Sequence, residues 1–130
     1  MARKLVNHGT SLERDIGFSR AVRIGDLIAV SGTAAIAPDG STIGVGDVYA
    51  QTMACLELSI AAIEELGSSK DDVFRTRIML TDISRWAEAA KAHGDWFRGI
   101  QPACTFVEVK GFIRPEWLVE TEVDAASSSA

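Results

Sequence analysis

At 130 residues, with 47% hydrophobic and 24% charged residues, the chain has the composition of one soluble globular domain with enough residues for a core. A net charge of −5 and a pI near 5.0 exclude the clustered basic face of a nucleic-acid binder, and no apolar run reaches the ~18 residues of a membrane span. Two cysteines, Cys55 and Cys104, are too few for a disulfide framework, and no apolar leader follows the basic Arg3-Lys4, so a cytoplasmic protein with reduced thiols is expected.

In chain order, Lys4 to Asn7 reads as a short strand, followed by a polar loop through Asp15. Phe18 to Ile24 and Leu27 to Ser31 read as strands joined by the two-residue Gly25-Asp26 hairpin connector. Gly32 to Gly46 is a loop with the turn sequence Pro38-Asp39-Gly40. Asp47 is an N-cap for a helix to about Leu66, and Gly67 suits the position after it. The apolar stripe Thr52, Cys55, Leu56, Ile60, Ile63 and Leu66 has helical spacing. Asp72 to Leu80 reads as the fourth strand, with Phe74, Ile78 and Leu80 on one face and Arg75, Arg77 and Met79 on the other. Ser84 is the expected cap of a second helix to about Arg98, which turns Trp86, Ala89, Ala90, His93 and Phe97 to one side.

The last third carries the clearest alternation. Pro102-Ala103-Cys104-Thr105-Phe106-Val107-Glu108-Val109 and Leu118-Val119-Glu120-Thr121-Glu122-Val123 both repeat with period two and predict a C-terminal pair of strands. The alternation sets Val107, Val109, Val119, Thr121 and Val123 on an apolar face. It sets Cys104, Phe106, Glu108, Glu120 and Glu122 on a second face, with Arg75 and Arg77. Strand pairs with two helices between them predict an α+β fold: a single mixed sheet with both helices packed on one face. A charged and aromatic far face is poorly placed in a monomer, which predicts self-association through that face. Residues 1–125 form the expected domain and 126–130 an expected disordered tail.

These segments, with Ile16-Gly17-Phe18-Ser19, Val30-Ser31-Gly32, Gln51 and Thr81-Asp82, resemble the Rid (YjgF-like) family over about residues 14 to 125. The resemblance implies a chorismate-mutase-like homotrimer around a central barrel. It implies enamine or imine deaminase activity at clefts between subunits, on a small molecule such as a carboxylate, with no cofactor and no metal. Carried over by position, Glu120 is the acid that positions water, and Phe18, Ser31, Gly32, Cys104, Thr105 and Phe106 line the cleft. Three positions depart from the family pattern: Phe18 stands for a tyrosine, Ala90 for an asparagine and Cys104 for the catalytic arginine. A thiol cannot grip a carboxylate with two prongs.

Each candidate has a bland reading beside it. Arg77 and Arg75 read as partners of Glu108, Glu120 or Glu122 in a salt-bridge lattice between subunits, or, for Arg77 above all, as the anion-binding charge missing at position 104. His93 reads as a satisfied core histidine or as a hydrogen-bonding or proton-transferring site residue. Cys104 reads as a packing residue or as a nucleophile, which requires a basic neighbour. The functions that follow are hydrolysis of a reactive C–N compound with Glu120 and His93 at the centre, non-catalytic metabolite binding, and, last, a ribonuclease, which the acidic balance disfavours.

Overall fold

The computed structural model describes residues 2–127. Six strands form one mixed sheet: β1 (Arg3–Val6), β2 (Ala21–Ile24), β3 (Leu27–Thr33), β4 (Val73–Leu80), β5 (Ala103–Glu108) and β6 (Val119–Ala126), in the spatial order β1-β2-β3-β6-β4-β5. Two long helices, α2 (Val48–Glu65) and α3 (Trp86–Phe97), follow a one-and-a-half-turn helix, α1 (Ser11–Ile16).

The short helix occupies the stretch expected to be loop. Thr10 accepts from the Glu13 N–H at 3.2 Å, and the buried Glu13 carboxylate reaches back past the cap to accept from the His8 and Gly9 N–H groups. This is a variant of the Thr-x-x-Glu capping box, whose acid bonds the cap residue itself. Gly17, at φ +88, ends the helix, and the Phe18 N–H donates to the Glu13 carbonyl, which aims the chain into β2. The Gly25-Asp26 connector forms as expected, with Ile24 opposite Leu27.

Asp47 caps α2 through the Ala50 N–H, and Gly67 follows its end at φ +84. The whole expected stripe, Thr52, Cys55, Leu56, Ile60, Ile63 and Leu66, is buried. Leu56, Ile60, Ile63 and Leu66 pack with Ile28 and Val30 of β3 and Val123 and Ala125 of β6, and Cys55 packs with Ile78, Leu80 and Val119. The expected cap at Ser84 does not form: the N-cap of α3 is Arg85, which makes no side-chain cap bond, and Asp82 caps the 3-10 turn (Ile83–Arg85) before it. Asp82 accepts from both the backbone N–H and the hydroxyl of Ser84, which starts a 3-10 turn that runs into the helix. Ala89, Ala92 and Phe97 are the buried residues of α3, while Trp86 is exposed.

The C-terminal strands are not neighbours. β4 lies between them, parallel to β5 and antiparallel to β6, because the α3 crossover returns the chain in the same direction. This placement reverses the expected faces of β5. Thr76 faces both Cys104 and Val123, and Ile78 faces both Phe106 and Thr121, so Cys104 and Phe106 share the helix-covered side with the core. Glu108 pairs with Leu80 on that same side, and its carboxylate accepts from the Ile83 N–H at 3.0 Å. It serves the 3-10 turn rather than the far-face charges.

β4 is corrected at its start. A bulge between Val73 and Arg75 turns Val73 into the core and leaves Phe74 exposed. β6 continues through Ala126, and Ser127 is buried with its N–H on the Asp26 carbonyl, so these two residues belong to the fold. Residues 128–130 lie outside the described residues. Among those described, no helix is long and apolar enough to cross a membrane.

Candidate functional site

The sheet's far face carries one set of candidates. Glu120, Glu122 and Asp124 alternate along β6 opposite Met79, Arg77 and Arg75. Arg77 Nη1 lies 3.3 Å from Glu122 Oε1 and 3.7 Å from Asp124 Oδ2. The ion pairing expected between subunits is found for Arg77 within one chain instead, with Asp124 as a further partner. Thr105 pairs with Arg77 and faces the same way, apart from its neighbours Cys104 and Phe106.

At the upper end of that face, β3 breaks register between Val30 and Thr33, so Ser31 and Gly32 bulge toward β6. Ser31 is pinned there: its hydroxyl donates to the Ser19 carbonyl at 2.6 Å, and its carbonyl accepts from the Thr33 hydroxyl at 2.7 Å. A methyl group on Gly32 would stand 3.2 Å from Glu120 Oε1, so the absent side chain is what admits the carboxylate. Burial pushes the Glu120 carboxyl above the usual carboxylate range; the charge of Arg20 opposes this and Glu122 reinforces it.

Arg20 is a member of this site that sequence reading passed over. Its Nη2 donates to the Gly32 carbonyl at 2.8 Å, and its guanidinium lies 5.6 Å from the centre of the Phe18 ring. The signal available was spacing, since residues two apart in extended chain face the same side. Burial lowers the Arg20 pKa, while Glu13 and Glu120 raise it.

The second set lies across the sheet, between β5 and α3. His93 Nε2 and the hydroxyl of buried Thr76 are 2.8 Å apart. The His93 ring packs against Phe97 and Phe106, and Trp86 meets Phe106 edge-on. Burial lowers the His93 pKa and raises that of Cys104, whose thiol is pulled the other way only by a hydrogen bond with Thr76. A neutral imidazole beside a protonated thiol is not an activated cysteine, which disfavours the nucleophile reading. Thr76, the shared partner, was also missed: an alternating strand pattern gives no reason to separate it from other core threonines.

Two clusters of candidate residues therefore exist in one chain, half-sites only where copies of the chain share a cleft. Phe18, Arg20, Ser31, Gly32 and Glu120 meet at the end of β3, and Thr76, His93, Cys104 and Phe106 meet under α3, on opposite sides of the sheet.

The endoribonuclease L-PSP family matches residues 9–127, the span that carries both half-sites. The chain belongs to this family, the YjgF/Rid group. It is similar to Rv2704 of Mycobacterium tuberculosis, a member of the YjgF/YER057c/UK114 family. The two are 41% identical, with a TM-score of 0.86 over 97% of this chain and 100% of that one. It is 37% identical to an uncharacterised protein of Streptomyces coelicolor over 92% of this chain and 89% of the other. A RutC family protein of Pyrococcus abyssi is 32% identical over 83% and 84% of the two chains. The Rid resemblance read from Val30-Ser31-Gly32 and the C-terminal strands is thereby established as family membership, and the α+β fold agrees with it.

Proposed function

We propose that this Rid-family chain binds a small molecule between subunits of a homotrimer and hydrolyses a reactive imine or enamine there, with Glu120 positioning the water. The observation that carries this reading is the Glu120 carboxylate, half-buried against Gly32 with a raised proton affinity. A carboxyl group so placed exchanges protons nearer to neutral pH than an exposed one does. Glu120 takes a proton from water as the oxygen bonds to the imine carbon. Glu120 returns that proton to the nitrogen, giving a carbinolamine. It then takes the proton of the new hydroxyl and passes it to the amine as the C–N bond breaks and the C=O bond forms, and the products are a carbonyl compound and ammonia. For an enamine, the imine tautomer is the species attacked.

The separation of the half-sites supports the trimer. β5 is an edge strand, with Cys104 and Val107 exposed, and an open edge is an association surface. A head-to-tail contact that closes into a ring sets the β5–α3 side of one copy against the Glu120 end of the next. His93 and Phe106 then complete the site from across the boundary, His93 as a hydrogen-bonding residue.

Ammonia release from imines generated in situ is the test. Glu120→Gln is expected to lower the rate by about 10²–10⁴-fold, the usual contribution of a general base. A parent protein no faster than a protein-free control across amino-acid-derived imines overturns hydrolysis. A stable lone protomer at micromolar concentration in a sedimentation run overturns the inter-subunit site.

The uncharged β5–α3 wall of Thr76, Cys104, Phe106 and Trp86 favours one second reading, a metabolite-binding protein without turnover. Thermal stabilisation by a compound that is never consumed would select it. The family description names an endoribonuclease, but the acidic balance gives a polyanion no basic track.

A further inference from the structure

We propose that Arg20 is the anion-gripping residue of the Glu120 site, taking the carboxylate of a small organic acid or amino-acid derivative. The inference rests on the small-molecule reading of that site, though not on turnover.

Arg20 is a half-buried guanidinium. No carboxylate among the described residues forms an ion pair with it, in contrast to Arg77, which holds both Glu122 and Asp124. One N–H on Nη2 donates to the Gly32 carbonyl, the Nε–H is buried without a partner, and the other Nη hydrogens have none among the described residues. A guanidinium cannot shed its proton, so such burial costs stability, and it calls for a compensating anion.

The two nearest acids do not fill that role. Glu13 is occupied by the N–H groups of His8 and Gly9 at the start of α1. Glu120 influences Arg20 through its charge but stands outside ion-pair distance. Arg20 and Glu120 instead flank the same residue, Gly32, one bonded to its carbonyl and the other against its α-carbon. An anionic head held by the planar fork of Arg20 therefore sets the adjoining carbon of the ligand beside Glu120.

The alternatives on the far face are weaker. Arg77 is neutralised, and Arg75 is exposed four residues down β4 from Met79, the partner of Glu120. Position 104 offers only a protonated thiol. Phe18 adds a flat apolar surface beneath the guanidinium, which holds the fork in place without competing for its donors.

The test uses pyruvate and its uncharged counterpart pyruvamide, with binding read by calorimetry on the intact protein. The parent is expected to favour pyruvate, and Arg20→Gln to weaken pyruvate binding by about ten- to hundredfold, the usual worth of a charged hydrogen bond, and to lose the preference. Equal affinity of the parent for the two compounds, including no binding of either at millimolar concentration, overturns the assignment. So does undiminished pyruvate binding by Arg20→Gln.

A measurement on the unsubstituted protein keeps the proposal testable if that variant does not fold. The Arg20 Nε–H resonance is expected to move on addition of pyruvate and to stay in place with pyruvamide; a stationary resonance with pyruvate overturns the proposal. Pyruvate bound through Arg20 without ammonia release from any imine would remove the hydrolytic reading and leave this one standing. Ammonia release that survives Arg20→Gln with undiminished pyruvate binding would do the reverse.

Discussion

The two half-sites solve the problem of a polar group on a sheet in opposite ways. Under α3 the polar contacts are between neutral groups: Thr76 bonds His93 and meets the Cys104 thiol, and aromatic rings close the surroundings. At the end of β3, charges of both signs are half-buried without direct pairing, and the backbone of Gly32 separates them. Desolvation acts on both, but on different chemistry. It keeps the imidazole and thiol neutral, and it makes the carboxylate a better proton acceptor beside a guanidinium that remains charged. The first arrangement suits a wall that shapes a ligand; the second suits a place where charge is held or moved.

Substitutions at the charged half-site are the sharpest way to break this contrast. Gly32→Ala needs no unusual backbone angle, but its methyl group crowds Glu120 Oε1 at 3.2 Å. It is expected to cost up to about a hundredfold in the rate of ammonia release, the usual penalty of an ångström-scale misplacement, with little change in melting temperature. Equal loss of stability and activity would show that Gly32 serves the bulge rather than the carboxylate.

The neutral half-site should respond in stability first. Thr76→Val keeps the shape of the side chain but strips His93 Nε2 of its partner, at a cost of about 1–3 kcal/mol. Thermal or urea unfolding at fixed protein concentration reads it. An unchanged melting temperature would mean that solvent replaces the hydroxyl, and that the network is looser than its geometry.

The smallest effect expected is a pH dependence from His93. Its pKa is lowered in the folded chain, so the unfolded chain binds the proton more readily. The stabilising contribution is complete above the ordinary imidazole value of 6.5 and is lost as the pH falls below it, through the folded value. His93→Gln should flatten the melting-temperature profile across that window. Glu120 has the opposite sign: its raised folded pKa favours the folded state at low pH, and that contribution disappears as the pH rises through the folded value.

Much of this molecule was legible before folding. The cap at Asp47, the stripe from Thr52 to Leu66 and the Gly25-Asp26 hairpin are local or periodic, so the chain states them directly. The Ser31-Gly32 strand end and Glu120 were legible as candidates by likeness to the family. The short-range signal Thr10-x-x-Glu13 was present and unread.

What the sequence by itself determined is which residues alternate along β5 and β6 and where α2 begins and ends. It did not determine which face of β5 meets the core, because an edge strand leaves both faces partly open and Val107 looks as apolar as Phe106. Only the insertion of β4 between β5 and β6 fixed that choice, through pairings made across long stretches of chain. The lack of an ion-pair partner for Arg20 among the described residues was decided in the same way. Whether a guanidinium is paired depends on distances to Glu13 and Glu120, which lie far apart in the chain and reach it only when the sheet is assembled.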